Sequence, residues 1–223
     1  MDITVATTVG EVAVQHPLAT RVFARHGIDF CCGGGKTLEE ACSSRGLDSA
    51  RVLAEIETEV QESDAPPRRW DQEPVEAVID HILTAYHAPL REELPRLEGL
   101  VKKVHQVHRD KAPEMLAGVL DTYLNLRMEL DLHMAKEEEI LFPMIRAGKG
   151  AMAEGPISMM EQEHDAAGGA LVRLRELTHG YEVPEEACNS WRALWHGLAA
   201  LETALHEHIH IENNVLFPRV LSR

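Results

Sequence analysis

Residues His133–Ile145 read HMAKEEEILFPMI, and residues His208–Val220 read HIHIENNVLFPRV. Both have the form H-x-x-x-E-x-x-[IV]-L-F-P, so histidine, glutamate and the LFP ending recur in register, which marks an internal repeat. Four residues advance an α-helix by about 400°. His133 and Glu137 therefore share one helical face, as do His208 and Glu212. An imidazole nitrogen and a carboxylate oxygen then point at one spot. Two such helices in one bundle present two imidazoles and two carboxylates to a common centre.

The surrounding sequence supplies the bundle. Four periodic stretches, roughly 75–109, 113–146, 156–179 and 185–220, alternate apolar and polar faces with a helical period. Pro113, Pro156 and Pro184 stand near the starts of the last three, and Gly148, Gly150, Gly155 and Gly180 punctuate the gaps. Long amphipathic helices with short connections predict an up-down four-helix bundle. Pro89 and Pro95 fall inside the first stretch and predict a kink or irregular turn.

Upstream, QESDAPPRRWDQEP (61–74) has two prolines, many charges and no apolar period, and reads as a linker. The expected organisation is a helical module over 1–62, a linker over 63–74 and a bundle over 75–223. In the module, Thr8 with Glu11 and Thr37 with Glu40 form T-x-x-E capping boxes. Pro17 fits a helix start, Asp48 can cap a further helix, and Gly27 and Gly46 fit helix stops. The fold class is all-α.

More histidines fall on the apolar stripes. His87 follows Leu83 by four, His108 follows Val104 and Val101, and His164 follows Met160 and Ile157. A histidine at such an inward position is costly without a partner. Together with the duplicated H-x-x-x-E they define a candidate metal set: His87, His108, His133, Glu137, His164, His208 and Glu212. His81, Glu129 and Glu163 are candidate supporting groups behind the ligands. Glu138 and Glu139 read as exposed charges, and the other histidines as ordinary residues. Imidazoles and bridging carboxylates that leave a coordination position open suit iron better than structural zinc, which is tetrahedral and often thiolate-bound.

The chain has 223 residues, 44% hydrophobic but only 4% aromatic, and a net charge of −15. That charge disfavours nucleic acid, which needs basic patches. No run of 18 apolar residues occurs, and MDITVATTVGEV lacks a basic segment followed by an apolar run. Neither a membrane span nor a secretory signal is expected, and the setting is read as cytoplasmic. Four cysteines in such a chain read as metal-binding, redox or buried groups rather than a disulfide framework.

Phe30–Thr37, FCCGGGKT, holds two of them. It is not a phosphate-binding loop, because Phe30 stands where such a loop needs its first glycine and no strand precedes it. A Cys31–Cys32 disulfide is disfavoured, since adjacent Cα atoms lie about 3.8 Å apart and bridged cysteines need about 4.4–6.8 Å. A tight turn with partly buried cysteines is one reading. A mobile thiolate pair, favoured by the helix expected to start near Thr37, is the other. Cys42 and Cys188 read as space-filling.

The bundle with two H-x-x-x-E pairs resembles a hemerythrin-type di-iron domain. DFCCGGGKTL, YHAPLREELP, VHQVH, HMAKEEEILFP, GPISMMEQEHD and HIHIENNVLFPR together are similar to the di-iron "repair of iron centres" family, over nearly the whole chain. The resemblance implies a small N-terminal domain with paired cysteines and two non-haem iron ions, carboxylate- and oxo-bridged. It places the iron ligands on His87, His108, His133, Glu137, His164, His208 and Glu212. It implies a homodimer that responds to nitric oxide and oxidative stress. Such a protein repairs iron–sulfur clusters, with iron–sulfur proteins or their assembly scaffold as partners and O2 or NO as small ligands. Reduction of nitric oxide to nitrous oxide, or O2/NO sensing, are the alternative activities. One departure is Phe30, where the family commonly has tyrosine.

Overall fold

The computed structural model describes residues 3–61 and 68–222. The expected linker therefore lies partly outside the described residues. By packing, the chain forms two compact units, Met1–Ile79 with His206–Arg223, and Asp80–Leu205. The expected partition at 62–75 follows sequence order, whereas contacts group the last 18 residues with the N-terminal module.

Asp80–Leu205 is built from long helices: α6 (Ala88–His108), α7 (Pro113–Lys136), α9 (Glu154–Leu177) and most of α10 (Asn189–Ile211). Counted with the short helices and π-turns that adjoin them in sequence, the helical runs are 75–108, 113–146, 154–177 and 189–221, within a few residues of the expected stretches. Each sends its apolar stripe inward, with Leu94, Leu97, Val101 and Val104 from α6 meeting Leu126 and Leu130, Leu171 and Leu174, and Trp191, Trp195 and Leu198. α7 packs against both α6 and α9. Gly197 lets α10 come close to α6, since a Cβ there would stand 2.5 Å from Leu97 Cδ2. Tyr123 buries its ring and donates its hydroxyl proton to the Leu94 carbonyl at 2.8 Å.

The prolines expected to disturb the first long helix act differently from each other. Before Pro89 the chain makes a π-turn, Ile82–His87, between α5 (Val75–His81) and α6. At Pro95 the helix continues. Pro95 is exposed, so the carbonyl that loses its N–H partner, that of the exposed Arg91, can turn to water.

The other unit holds α1 (Val9–Gln15), α2 (Ala19–His26), α3 (Leu38–Ser43) and α4 (Ser49–Gln61). Both expected capping boxes form, Thr8 with Glu11 and Thr37 with Glu40. Asp48 Oδ1 accepts from Ala50 N–H at 2.9 Å at the start of α4. Gly27 and Gly46 adopt φ of 62° and 67° where α2 and α3 stop, a conformation open to glycine at no steric cost. Val12, Val22, Phe23, Phe30, Leu38 and Ile56 form the core. The final segment completes the unit with a π-turn, Glu212–Leu216, and α11 (Phe217–Leu221).

Candidate metal centre

Three helices of Asp80–Leu205 place the first group of ligands. His87 ends the π-turn before α6, His133 lies in the last turn of α7, and His164 lies within α9. Glu137 opens a second π-turn, Glu137–Leu141, which runs into α8 (Phe142–Arg146). The three π-turns share a cause. Ala88, Phe142 and Phe217 each bond their N–H to the carbonyl five residues back, on Leu83, Glu137 and Glu212. Each is followed at once by proline: Pro89, Pro143 and Pro218. Proline has no N–H to give, and its ring crowds the carbonyl four residues back. One extra residue in the turn widens it where the ring would collide, giving the single-turn π-bulge frequent at functional sites. The proline of the LFP motif thus shapes the turn that carries each glutamate.

Glu137 is fully buried, and neither of its carboxylate oxygens has a hydrogen-bond partner among the described residues. Its Oε2 lies 3.3 Å from His87 Nε2 and 3.4 Å from His133 Nε2. His133 Nε2 is 3.1 Å from His164 Nε2. The ligand atoms of His133, Glu137 and His164 all fall within 4.8 Å of one another.

A second set of carboxylates fixes the rings. His87 Nδ1 lies 2.8 Å from Glu138 Oε1, and Arg91 donates to the other Glu138 oxygen at 2.7 Å. His133 Nδ1 lies 2.9 Å from Glu163 Oε2, whose other oxygen takes Lys136. Burial works to raise both carboxyls. Arg91 and His87 outweigh it at Glu138, and Lys136 and His133 at Glu163, so both sit below the ordinary carboxylate value. A carboxylate at Nδ1 takes that nitrogen's proton as its hydrogen bond, which leaves the lone pair of the neutral ring on Nε2. Two Nε2 lone pairs then face one carboxylate oxygen. A buried carboxylate without partners costs several kcal/mol. A cation among these atoms would convert each repulsion into a bond, so the donor set fits a metal.

The second copy of the repeat has the same local form. His208 and Glu212 are buried, with His208 Nε2 3.0 Å from Glu212 Oε1, and Glu212 opens its π-turn as Glu137 does.

His108 does not join the first group. It is buried, but its Nε2 faces Cys188 Sγ at 3.2 Å, and its ring lies against Trp191. The reason is length. α6 rises about 1.5 Å per residue, so His87 and His108 stand at opposite ends of one helix, about 30 Å apart. Apolar periodicity reported the face correctly and ignored the distance along it. His81 sits edge-on to Tyr86, and Glu129 is exposed. Glu138, expected to be a solvated charge, is half-buried and holds His87.

The Cys-Cys loop is held from two sides. Asp29 Oδ1 accepts from the N–H groups of Cys31 and Cys32, both at 3.0 Å. The Asn214 side chain donates to the carbonyls of Phe30 and Cys31 at 3.3 and 3.2 Å, and Asn213 reaches Cys31 O at 3.4 Å. Gly10 and Gly34 make room, since a Cβ on either would stand 2.4 or 2.6 Å from Asn214 Oδ1. Cys31 is buried, with Sγ 3.8 Å from Cys32 Sγ and 3.2 Å from Asp29 Oδ1, and both cysteines are free. The Cys32 sulfur, burial and the Asp29 charge all push the Cys31 thiol up, which favours the tight turn with partly buried cysteines over the mobile thiolate pair at Cys31. Cys32 is the half-buried member. His210, read from sequence as ordinary, is buried. Burial drives its value down to about 4, against a weaker upward pull from the Phe30 carbonyl 3.3 Å from Nδ1. The N-N that replaces E-E in the second repeat was the available pointer to these contacts.

Residues 78–220 match the Hemerythrin HHE cation binding domain. Residues 5–60 match the ScdA_N family, described as a domain of unknown function (DUF542). The fold and the buried imidazole and carboxylate set thus define a hemerythrin-type cation-binding protein with an N-terminal ScdA_N domain. The chain is 47% identical over 217 residues to iron-sulfur cluster repair protein YtfE of Pectobacterium carotovorum, covering 96% of each. It is 45% identical over 219 residues to that of Musicola paradisiaca, and 45% over 216 residues to that of Yersinia pseudotuberculosis, again covering 96% of each. It belongs to the iron-sulfur cluster repair protein YtfE family.

Proposed function

We propose that the two repeat copies close on one di-iron centre, held by His87, His133, Glu137, His164, His208 and Glu212, and that its iron is cargo for damaged iron–sulfur clusters. The observation that carries this reading is Glu137: a fully buried carboxylate with no hydrogen-bond partner among the described residues, its Oε2 between two imidazole nitrogens. A single cation-binding family domain spans all six residues, which supports one shared centre. The carboxylates of Glu137 and Glu212 would bridge, and the imidazoles would divide between the two ions.

The donor set also supports iron as the ion and release as the activity. It has no thiolate, unlike many structural zinc sites. Nitrogen and oxygen donors bind Fe(II) less tightly than the later divalent metals. A cluster-building acceptor offers cysteine thiolates, the ligands of iron–sulfur centres. Transfer then runs from a weaker site to a stronger one. Glu138 and Glu163 keep the His87 and His133 rings aimed, so the site can be emptied and refilled without rebuilding. The clients are iron–sulfur proteins or their assembly scaffold, in the cytoplasm. No described helix is long and apolar enough to cross a membrane. Cys32 is the thiol of the pair placed to meet iron or a client.

The test is iron transfer. Anaerobically iron-loaded protein is mixed with an apo iron–sulfur enzyme, and recovery of that enzyme's activity is followed. The reading expects recovery with the native chain and none above free-iron background with Glu137→Leu plus Glu212→Leu. Equal recovery with both would reject donation from this site.

A further inference from the structure

Cys188 and His108 form a thiol–imidazole pair that the metal centre does not use. Cys188 is exposed, correcting the reading of it as a space-filling residue. Its carbonyl accepts from Arg192 N–H at 3.0 Å, so it caps the start of the 23-residue α10. Its Sγ lies 3.2 Å from His108 Nε2. That imidazole is only 9% exposed and lies against the fully packed Trp191, with ring centroids 5.0 Å apart. The imidazole is buried against Trp191 while the cysteine is exposed. Arg192 folds back over the same loop, donating to the carbonyls of Ala187 and Glu185 at 3.0 and 3.1 Å. The other charged groups nearby in the chain are Glu185 and Glu186 before Cys188 and Arg109, Asp110 and Lys111 after His108, all exposed and so screened by salt. A helix N-terminus favours negative charge on sulfur, and a nucleophile beside a fixed base is a reactive pair.

We propose that Cys188 is a thiol–disulfide exchange site that takes low-molecular-weight disulfides. Cys188 Sγ attacks one sulfur of the disulfide while His108 Nε2 accepts the thiol proton. The new Sγ–S bond forms as the old S–S bond breaks. The departing thiolate collects the proton from His108 and leaves as a thiol. Cys188 ends oxidised in a mixed disulfide, and the released half is reduced. The site lies about 30 Å along α6 from His87, so it acts independently of metal loading.

The test uses the full chain and oxidised glutathione. Mixed disulfides are located by peptide mass spectrometry, and rates are followed between about pH 6.5 and 8.5. An unassisted thiol titrating near 8.5 loses about fifty-fold in rate across that range. Cys188 in the native chain is expected to lose less than about fivefold, because His108 removes the proton, and to react before Cys32. His108→Gln should slow Cys188 at least about tenfold at the lower pH and restore the steep profile. Cys188→Ser should abolish the adduct. A steep profile in the native chain, an unchanged rate in His108→Gln, or prior modification of Cys32 would each overturn the proposal. The native profile needs no variant and decides even if His108→Gln fails to fold.

Discussion

Replacing Glu137 by leucine should separate the cost of the metal site from its benefit. Glu137 is fully buried and both oxygens lack hydrogen-bond partners among the described residues. In metal-free protein a buried carboxylate carries an effective desolvation penalty of several kcal/mol, which an apolar side chain of similar volume removes. For a chain of this size each kcal/mol moves the melting temperature by about 2–4 °C. Metal-free Glu137→Leu should therefore melt at or above the native chain, by at least about 2 °C where the charge dominates. Fe(II) reverses the order. A ligand at about 100 times its Kd stabilises by about 2.7 kcal/mol, or roughly 5–10 °C, in the native chain and not in the variant. Anaerobic thermal unfolding followed by tryptophan fluorescence reads this well, since Trp191 and Trp195 are buried in the bundle core. A metal-free variant that melts several degrees below the native chain, or one that gains as much from Fe(II), would refute the reasoning.

Other outcomes follow from the same geometry. Glu138→Gln and Glu163→Gln remove the carboxylates that aim His87 and His133, and each should weaken Fe(II) binding about 10–100-fold with the circular dichroism unchanged; an unaltered binding isotherm would contradict that role. Gly34→Ala should destabilise the N-terminal unit by about 1–3 kcal/mol through overpacking, because its Cβ would meet Asn214 Oδ1 at 2.6 Å, whereas Gly35→Ala meets nothing within 4 Å. Equal denaturation midpoints for the two would show that the Asn214 contact is slack. Asp29 sits below its ordinary value: partial burial opposes the charge, but the N–H of Gly33, the Cys31 thiol and the N–H groups of Cys31 and Cys32 prevail. Its stabilising contribution is full above the unfolded carboxyl value and disappears as pH falls through the lower folded one. Acid unfolding of the native chain should therefore begin below about pH 4, and Asp29→Asn should flatten that limb; coincident acid limbs would remove Asp29 from the account.

The long helices were legible because their determinants are local. Apolar period, Pro113 and the capping boxes at Thr8 and Thr37 each act within a few residues, and their elements begin within a residue or two of the expected positions. The H-x-x-x-E duplication was legible for the same reason, since one helical turn sets which side chains share a face. His108 was misplaced because a stripe has a length as well as a face, and 21 residues of α6 separate it from His87. Glu138 was misread because its partner, His87, lies 51 residues away on another helix. Asn213, Asn214 and His210 meet the Cys-Cys loop across about 180 residues, a pairing that no local pattern encodes. The thiolate reading of Cys31 drew on its neighbouring helix, but burial and the adjacent sulfur act at closer range than a six-residue helix that starts at Leu38.

The most direct measurement is metal analysis with Mössbauer spectroscopy on anaerobically iron-loaded protein, native and with Glu137→Leu plus Glu212→Leu. Two iron ions per native chain, with the spectrum of nitrogen and oxygen ligation and complete loss in the double variant, is the predicted result. One iron or none per native chain, sulfur ligation, or iron retained by the variant would contradict the six-residue di-iron centre.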